Sequence, residues 1–282
     1  MTSTFLQAAT SIAKNITCHN RLTSLRVVLP QYLMKDTSVV HNLTSGESLK
    51  HCSVSIQNPD AESPCDALVS AVRTSCHLQR LFPFDDVGWQ GKFEELHLGV
   101  VDFDHRVSQL LRKCWTHLKR ISLKEESRNV ETLGDKPLFV CYYLSLFFPE
   151  LEHVTLSSLQ SGLFYLVLDG RAHKLKSLVC SPGKVFPPGT MTGQGNAPSF
   201  VSWPHLMEHL ELIVGVMVLE ESQRVLWPVD KQQLTVITSG ADMGGFPPFR
   251  GDNVKVLPPD EPEAIKTMEK LKEEWTFDFD PL

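Results

Sequence analysis

Asp102, Asp104 and His105 stand within four positions of one another, a grouping that suits metal ligation or acid–base catalysis. They also fall where a strand pattern stops and a helical pattern begins. An aspartate there accepts from the free N–H groups of the first helical turn, and we read Asp104 as that cap. The glycine clusters Gly193-Gln-Gly195-Asn196 and Gly240-Ala-Asp-Met-Gly244-Gly245 invite a phosphate reading. A phosphate cradle needs a helix N-terminus directly after the loop, whereas both clusters run into proline-containing segments. The seven cysteines, at 18, 52, 65, 76, 114, 141 and 180, include no C-x-x-C pair. Cys114, Cys141 and Cys180 fall on apolar stripes, where a thiol behaves as a small hydrophobe. No G-x-S-x-G elbow, P-loop or H-E-x-x-H motif is present. These observations point away from an enzyme and imply no metal and no cofactor.

Composition narrows the class further. Apolar residues make up 42% and charged residues 21%, values of a globular chain able to bury a large core. The net charge of −6, with the basic residues scattered, argues against a nucleic-acid groove. An odd number of cysteines without paired spacing fits free thiols in a reducing compartment, so the expected location is cytoplasmic or nuclear. The N-terminus lacks a basic region followed by an apolar run, so no signal peptide is expected, and the sequons at Asn15 and Asn42 carry no weight. The uncharged stretch Pro137 to Pro149 is too short to cross a bilayer, and no membrane association is expected.

The elements that would position any site follow from a repeat. The phrase apolar-x-x-apolar-x-apolar recurs as Leu22-Thr-Ser-Leu25-Arg-Val27, Phe93-Glu-Glu-Leu96-His-Leu98, Leu118-Lys-Arg-Ile121-Ser-Leu123 and Leu151-Glu-His-Val154-Thr-Leu156. Later copies are Leu175-Lys-Ser-Leu178-Val-Cys180 and Met207-Glu-His-Leu210-Glu-Leu212. A weaker copy opens at Leu49, and Leu234-Thr-Val236 ends the series. Successive first positions are 27, 44, 25, 33, 24, 32 and 27 residues apart, and the step of 44 suggests a missed or much-altered unit. The lead-ins Trp115-Thr-His-Leu118, Phe148-Pro-Glu-Leu151 and Trp203-Pro-His-Leu206 share an aromatic residue three positions before leucine.

Alternate residues of a strand face opposite ways, so Leu96 and Leu98 should point inward and Glu95 and His97 outward. One such strand cannot bury its face, but stacked copies make a parallel sheet with a continuous core. Return segments read as helices: Val107, Leu110, Leu111 and Cys114 follow Asp104 at helical spacing, and Pro64 and Pro137 open two more. Met1 to Thr17 reads as a further helix. The fold expected is α/β, a leucine-rich-repeat solenoid with irregular repeats over residues 1–259. Loops are expected near 181–199 and 240–259, with a short strand within the latter at Val254 to Leu257. Residues 260–282 should form a C-terminal capping helix, bearing Ile265, Met268, Leu271 and Trp275 on one side over the open end of the array, and a tail.

The phrases Leu-Lys-Arg-Ile-Ser-Leu and Leu-Glu-His-Val-Thr-Leu, with their lead-ins, resemble the leucine-rich-repeat region of F-box/LRR-type proteins across roughly residues 15 to 240. Val101, Glu126 and Leu159 stand where a typical repeat carries Asn or Cys, so the repeats are divergent. No F-box segment precedes Leu22. The resemblance implies a substrate-recognition part of a ubiquitin-ligase adaptor, with ligase subunits as partners if an F-box lies upstream.

The outward strand positions form the candidate partner-binding face: Glu95, His97, Arg120, Ser122, His153, Thr155, Ser177, Val179, His209, Glu211, Gln233 and Thr235. Polar and of mixed charge, such a face suits a protein or peptide. The expected function is protein–protein interaction. An α/β enzyme without a recognisable motif and a nonfunctional fragment of a larger repeat protein are the alternatives.

Overall fold

The computed structural model describes residues 11, 15, 22–30, 43–57, 82, 86–100, 105–125, 148–156, 173–180, 208–215, 224–238 and 249–276. The expected helices at 1–17 and after Pro64 and Pro137, the loop at 181–199 and the Trp203 lead-in lie outside, or almost wholly outside, these residues. In chain order the strands are β1 (Ser24–Pro30), β2 (His51–Gln57), β3 (Glu95–Val100), β4 (Arg120–Glu125), β5 (His153–Leu156), β6 (Ser177–Cys180), β7 (Leu212–Val214), β8 (Val225–Leu226), β9 (Leu234–Ile237), β10 (Phe249–Arg250) and β11 (Val254–Leu257). All but β8 and β10 belong to one open sheet, in the order β1-β2-β3-β4-β5-β6-β7-β9-β11. Every pair with a described register is parallel. Helix α1 spans His105–Cys114 and α2 spans Pro262–Glu273. The chain divides into two compact units, residues 1–118 with 123–128 and residues 119–122 with 129–282.

The same bonding pattern begins successive strands within each unit. A carbonyl just before one strand accepts from two successive N–H groups at the start of the next: Thr23 from Lys50 and His51, Lys50 from Glu94 and Glu95. Lys119 accepts likewise from Glu152 and His153, Glu152 from Lys176 and Ser177, and Lys176 from Glu211 and Leu212. Two polar groups at each strand start are thereby satisfied by the preceding repeat, which fixes the register.

In the first unit Leu25, Cys52 and Leu96 stand side by side and buried, with Leu49 and Phe93 buried one turn ahead, as the phrase requires. β2 pairs directly with β3, so these two strands are neighbours in the sheet although 44 residues separate their phrases, most of them outside the described residues. Leu110, Leu111 and Cys114 of α1 are buried, each worth roughly 1.5–3 kcal/mol where the side chain is large. Phe93 packs edge-on against Phe82, at 6.0 Å between ring centroids. Desolvation pushes the Cys52 thiol up to about 12 and the Cys114 thiol upward as well, so both stay protonated.

In the second unit Leu151 and Leu175, and Val154 and Leu178, align as expected. The next strand does not. Leu212 stands opposite Ser177 and Ile213 opposite Leu178, so the lead residue is Leu210 and not Met207. Leu212, expected inward, lies on the face of Ser177, and all three residues of β7 are buried, covered from both sides. The series also runs past Leu234: the short strand expected at Val254 to Leu257 is β11 and lies beside β9, and β10, within the stretch expected as a loop at 240–259, pairs with β8.

Helix α2 explains the two-sided burial. It begins at Pro262, where the missing N–H costs nothing, and follows Glu261, which makes no side-chain cap bond. Ala264, Met268 and Leu271 join Val179, Leu212, Val214, Ile237 and Leu257 in one apolar cluster. The helix therefore packs against this strand face, from Val179 of β6 to Leu257 of β11. Ile265, expected among its buried residues, is 47% exposed, and Ala264 takes the inward position.

Candidate functional site

Two rows of side chains define the face that carries the expected binding residues. In the first unit, first strand positions give Ser24, His51 and Glu95, and third positions give Arg26, Ser53 and His97. In the second unit the first row runs His153, Ser177, Leu212, Thr235 and Lys255. The second runs Thr155, Val179, Val214, Ile237 and Leu257. The second row is polar across the first unit and turns apolar where α2 lies.

Burial corrects the expectation that these residues face solvent. Glu95 is fully buried and bonds to the His97 ring through Nε2, at 2.9 Å. Ser122, His153, Thr155, Ser177 and Val179 are also buried. Arg120 and Thr235 are partly exposed, and His209, Glu211 and Gln233 are exposed. The reason is physical: alternation fixes which side of a strand a residue occupies but not what packs there, and α2 arrives from far along the chain.

Five expected residues, His153, Ser177, Glu211, Gln233 and Thr235, meet in a groove of about 290 Å³ beside α2. Its remaining wall comes from Lys176, Leu212 and Gln232 and from Thr267, Lys270, Leu271 and Glu274 at the C-terminal end of the helix. Neither His209 nor Thr155 lines it, and Glu95 and His97 belong to the first unit. Gln232 and Gln233 are held by a small buttress. Trp227 Nε1 donates to the Gln232 carbonyl at 3.0 Å, the Trp227 and Phe249 rings meet edge-on at 5.2 Å, and Asn253 Nδ2 donates to the carbonyls of Pro228 and Lys231. Gly251, at φ +155°, permits this approach, since a Cβ there would stand 3.0 Å from the Trp227 carbonyl oxygen.

His153 is the pivot of the groove. Its Nδ1 lies 2.8 Å from Ser177 Oγ and its Nε2 2.8 Å from Glu274 Oε2, while Trp275 packs at 6.5 Å between ring centroids. Desolvation drives its pKa down to about 4; Glu152 opposes the shift, and Arg120 and Lys176 add to it. The imidazole is therefore neutral near pH 7, donating from Nε2–H to Glu274 and accepting from the Ser177 hydroxyl. Beside it, desolvation pushes Glu152 upward, but the 2.7 Å bond and charge of Lys176 outweigh this and hold the carboxyl below its usual range. The same bond raises the Lys176 ammonium.

Ser177, His153 and Glu274 have the connectivity of an acyl-transfer relay, but the chemistry does not follow. A histidine driven to about 4 is a weak base at neutral pH, and Ser177 is only 3% exposed. The amides of Lys176, Ser177, Glu211 and Leu212 all donate to preceding strand starts, which leaves none of them for an oxyanion. The contact is moreover repeated: Ser24 Oγ lies 2.9 Å from His51 Nδ1 at the same position of β1 and β2. It is a cross-strand ladder contact. Lys50 with Glu94 and Lys176 with Glu152, each at 2.7 Å, form a second such ladder one residue earlier.

Sequence reasoning missed Lys176, Leu212, Gln232, Thr267, Lys270, Leu271 and Glu274 as groove residues. The usable signal was the apolar second row, Val179, Val214, Ile237 and Leu257, which demands a cover. Among the described residues no group of histidines, cysteines and carboxylates could hold a metal ion, and no helix is long and apolar enough to cross a membrane. No protein-family model, no curated protein and no solved structure matches the chain.

Proposed function

We propose that the chain is a protein-interaction module, an irregular leucine-rich-repeat solenoid working in the cytoplasm or nucleus as the substrate-recognition part of an F-box-type ubiquitin-ligase adaptor. The observation that carries the interaction reading is the repeated bonding at strand starts, which sets side chains of successive repeats in register along one face. In the first unit that face offers Arg26, Ser53 and His97; in the second, Arg120, Glu211 and Gln233 stand partly or fully exposed. Rows of mixed polar groups at strand spacing suit an extended protein segment, whose amides and charged side chains repeat at a similar interval. Buried protonated thiols at Cys52 and Cys114 fit a reducing compartment.

The test is affinity capture from cells with two variants, Arg26→Glu/His97→Ala and Arg120→Glu/Glu211→Arg/Gln233→Ala, each checked for wild-type folding by circular dichroism. Loss of a specific protein from either folded variant supports the reading, and cullin-ligase subunits retained by both support the adaptor role. Identical captures by all three proteins overturn the binding face.

A further inference from the structure

We infer that the strand face beneath α2 is a seat for an amphipathic helix, which α2 occupies in cis and which an amphipathic helix of a protein partner takes by displacing it. This inference rests on the protein-interaction reading above. The first observation is the seat itself: Val179, Val214, Ile237 and Leu257 present an apolar row on the side of the sheet opposite Leu178, Ile213 and Val236. Ala264, Met268 and Leu271, spaced four and three residues apart, are the buried stripe of α2, and buried Trp275 just past its end extends it; together they supply the occupant's shape.

The second observation is a polar corner at one end of the seat. Met268 and Leu271 already seal the apolar row, so covering it does not require His153, Ser177 and Lys176. These residues instead read a carboxylate: His153 Nε2 reaches Glu274 at 2.8 Å, and the Glu274 charge acts on Lys176. A helix entering from elsewhere must then carry an acid in its last turn, next to an aromatic residue.

The third observation is that α2 is held by side-chain packing and a short link, not by strand pairing. Pro258 to Glu261 join it to β11, two of those four residues are proline, and its first turn lacks a side-chain cap. Its outer face is charged and exposed, and Lys255 with Glu263 is the ion pair that ties its first turn. The helix can leave without breaking any strand pairing, and the groove at its C-terminal end opens beside the corner a competitor must reach first.

The probe is a fluorescein-labelled peptide of residues 258–276, titrated by anisotropy into the full chain. Three forms are compared: wild type, Met268→Asp/Leu271→Asp, which loosens the cis helix, and that pair combined with Val214→Asp, which spoils the seat. The expected result is binding to the loosened chain at least about tenfold tighter than to wild type, lost again with Val214→Asp and weakened by Glu274→Gln in the peptide. Equal, weak binding to all three folded chains overturns the seat. If the loosened chain does not fold, hydrogen exchange on the wild type decides. Exchange of α2 amides at least about tenfold faster than those of β6 and β9 supports displacement, and equal protection overturns it. The probe is this chain's own helix, so its failure removes the seat while leaving the capture result on the exposed rows untouched.

Discussion

His51 and His153 occupy the same position in their repeats and make the same contact, yet they live in different chemistry. His51 holds Ser24 on a face whose next row is Arg26, Ser53 and His97. His153 holds Ser177 on a face whose next row turns to Val179, Val214 and Ile237, and α2 lies over it. One of these imidazoles is partly exposed; the other is 4% exposed and driven to about 4. Repetition of backbone bonding makes the two regions one architecture, and the residue type two positions along decides whether the face stays open or is covered.

The largest effect should come from placing the same charge in the same row of both regions. Val214→Asp buries a carboxylate among apolar side chains and should cost about 4 kcal/mol or release α2, whereas Ser53→Asp, on the open half, should cost less than ~1 kcal/mol. Urea unfolding of the two variants measures the contrast, and equal costs would remove it.

Acid gives the next largest effect. With a folded pKa depressed below the usual histidine value, the unfolded chain binds the extra proton first. Stability from His153 is therefore fully present above pH 6.5 and is lost as the pH falls toward 4, by about 2 kcal/mol between pH 7 and pH 5. His153→Gln should flatten that slope in urea midpoints taken at both pH values, and an unchanged slope would assign the acid sensitivity elsewhere.

Gly251→Ala should cost about 1–2 kcal/mol, because its φ of +155° disfavours a side chain and the new Cβ would press on the Trp227 carbonyl. Thermal unfolding tests it, and a wild-type midpoint would mean that the buttress under Gln232 yields freely. The smallest effect has the opposite sign. Thr155 Oγ1 is buried without a hydrogen-bond partner among the described residues, so Thr155→Val should stabilise by about 1 kcal/mol. A loss of that size would reveal a partner for the hydroxyl.

Where one apolar stripe met one core, the fold could be read from the sequence. Leu25, Cys52 and Leu96, Leu151 and Leu175, and Leu110 with Leu111 fell where periodicity placed them. The reading slipped at Met207 to Val214, where both Met207-x-x-Leu210 and Leu210-x-x-Ile213 fit the phrase. Only the pairing of Leu212 with Ser177 separates them, because a strand covered on both faces loses its alternation. The site was harder still. His153, Ser177, Glu211 and Gln233 were visible as strand-face positions, but Lys270 and Glu274 reach them from 37 residues (Gln233 to Lys270) to 121 residues (His153 to Glu274) farther along the chain. Glu95 shows the same limit, since nothing local announces that a glutamate in a strand is fully enclosed.

The most direct measurement is chemical modification of histidines by diethyl pyrocarbonate, followed residue by residue with mass spectrometry. His209 is exposed and His153 lies beneath α2, so His209 should react at least about tenfold faster, the factor set by an opening cost of about 1.4 kcal/mol. In the Met268→Asp/Leu271→Asp chain the His153 rate should climb toward that of His209 while His209 itself stays unchanged. Equal rates at the two histidines in the wild type would contradict a covered seat.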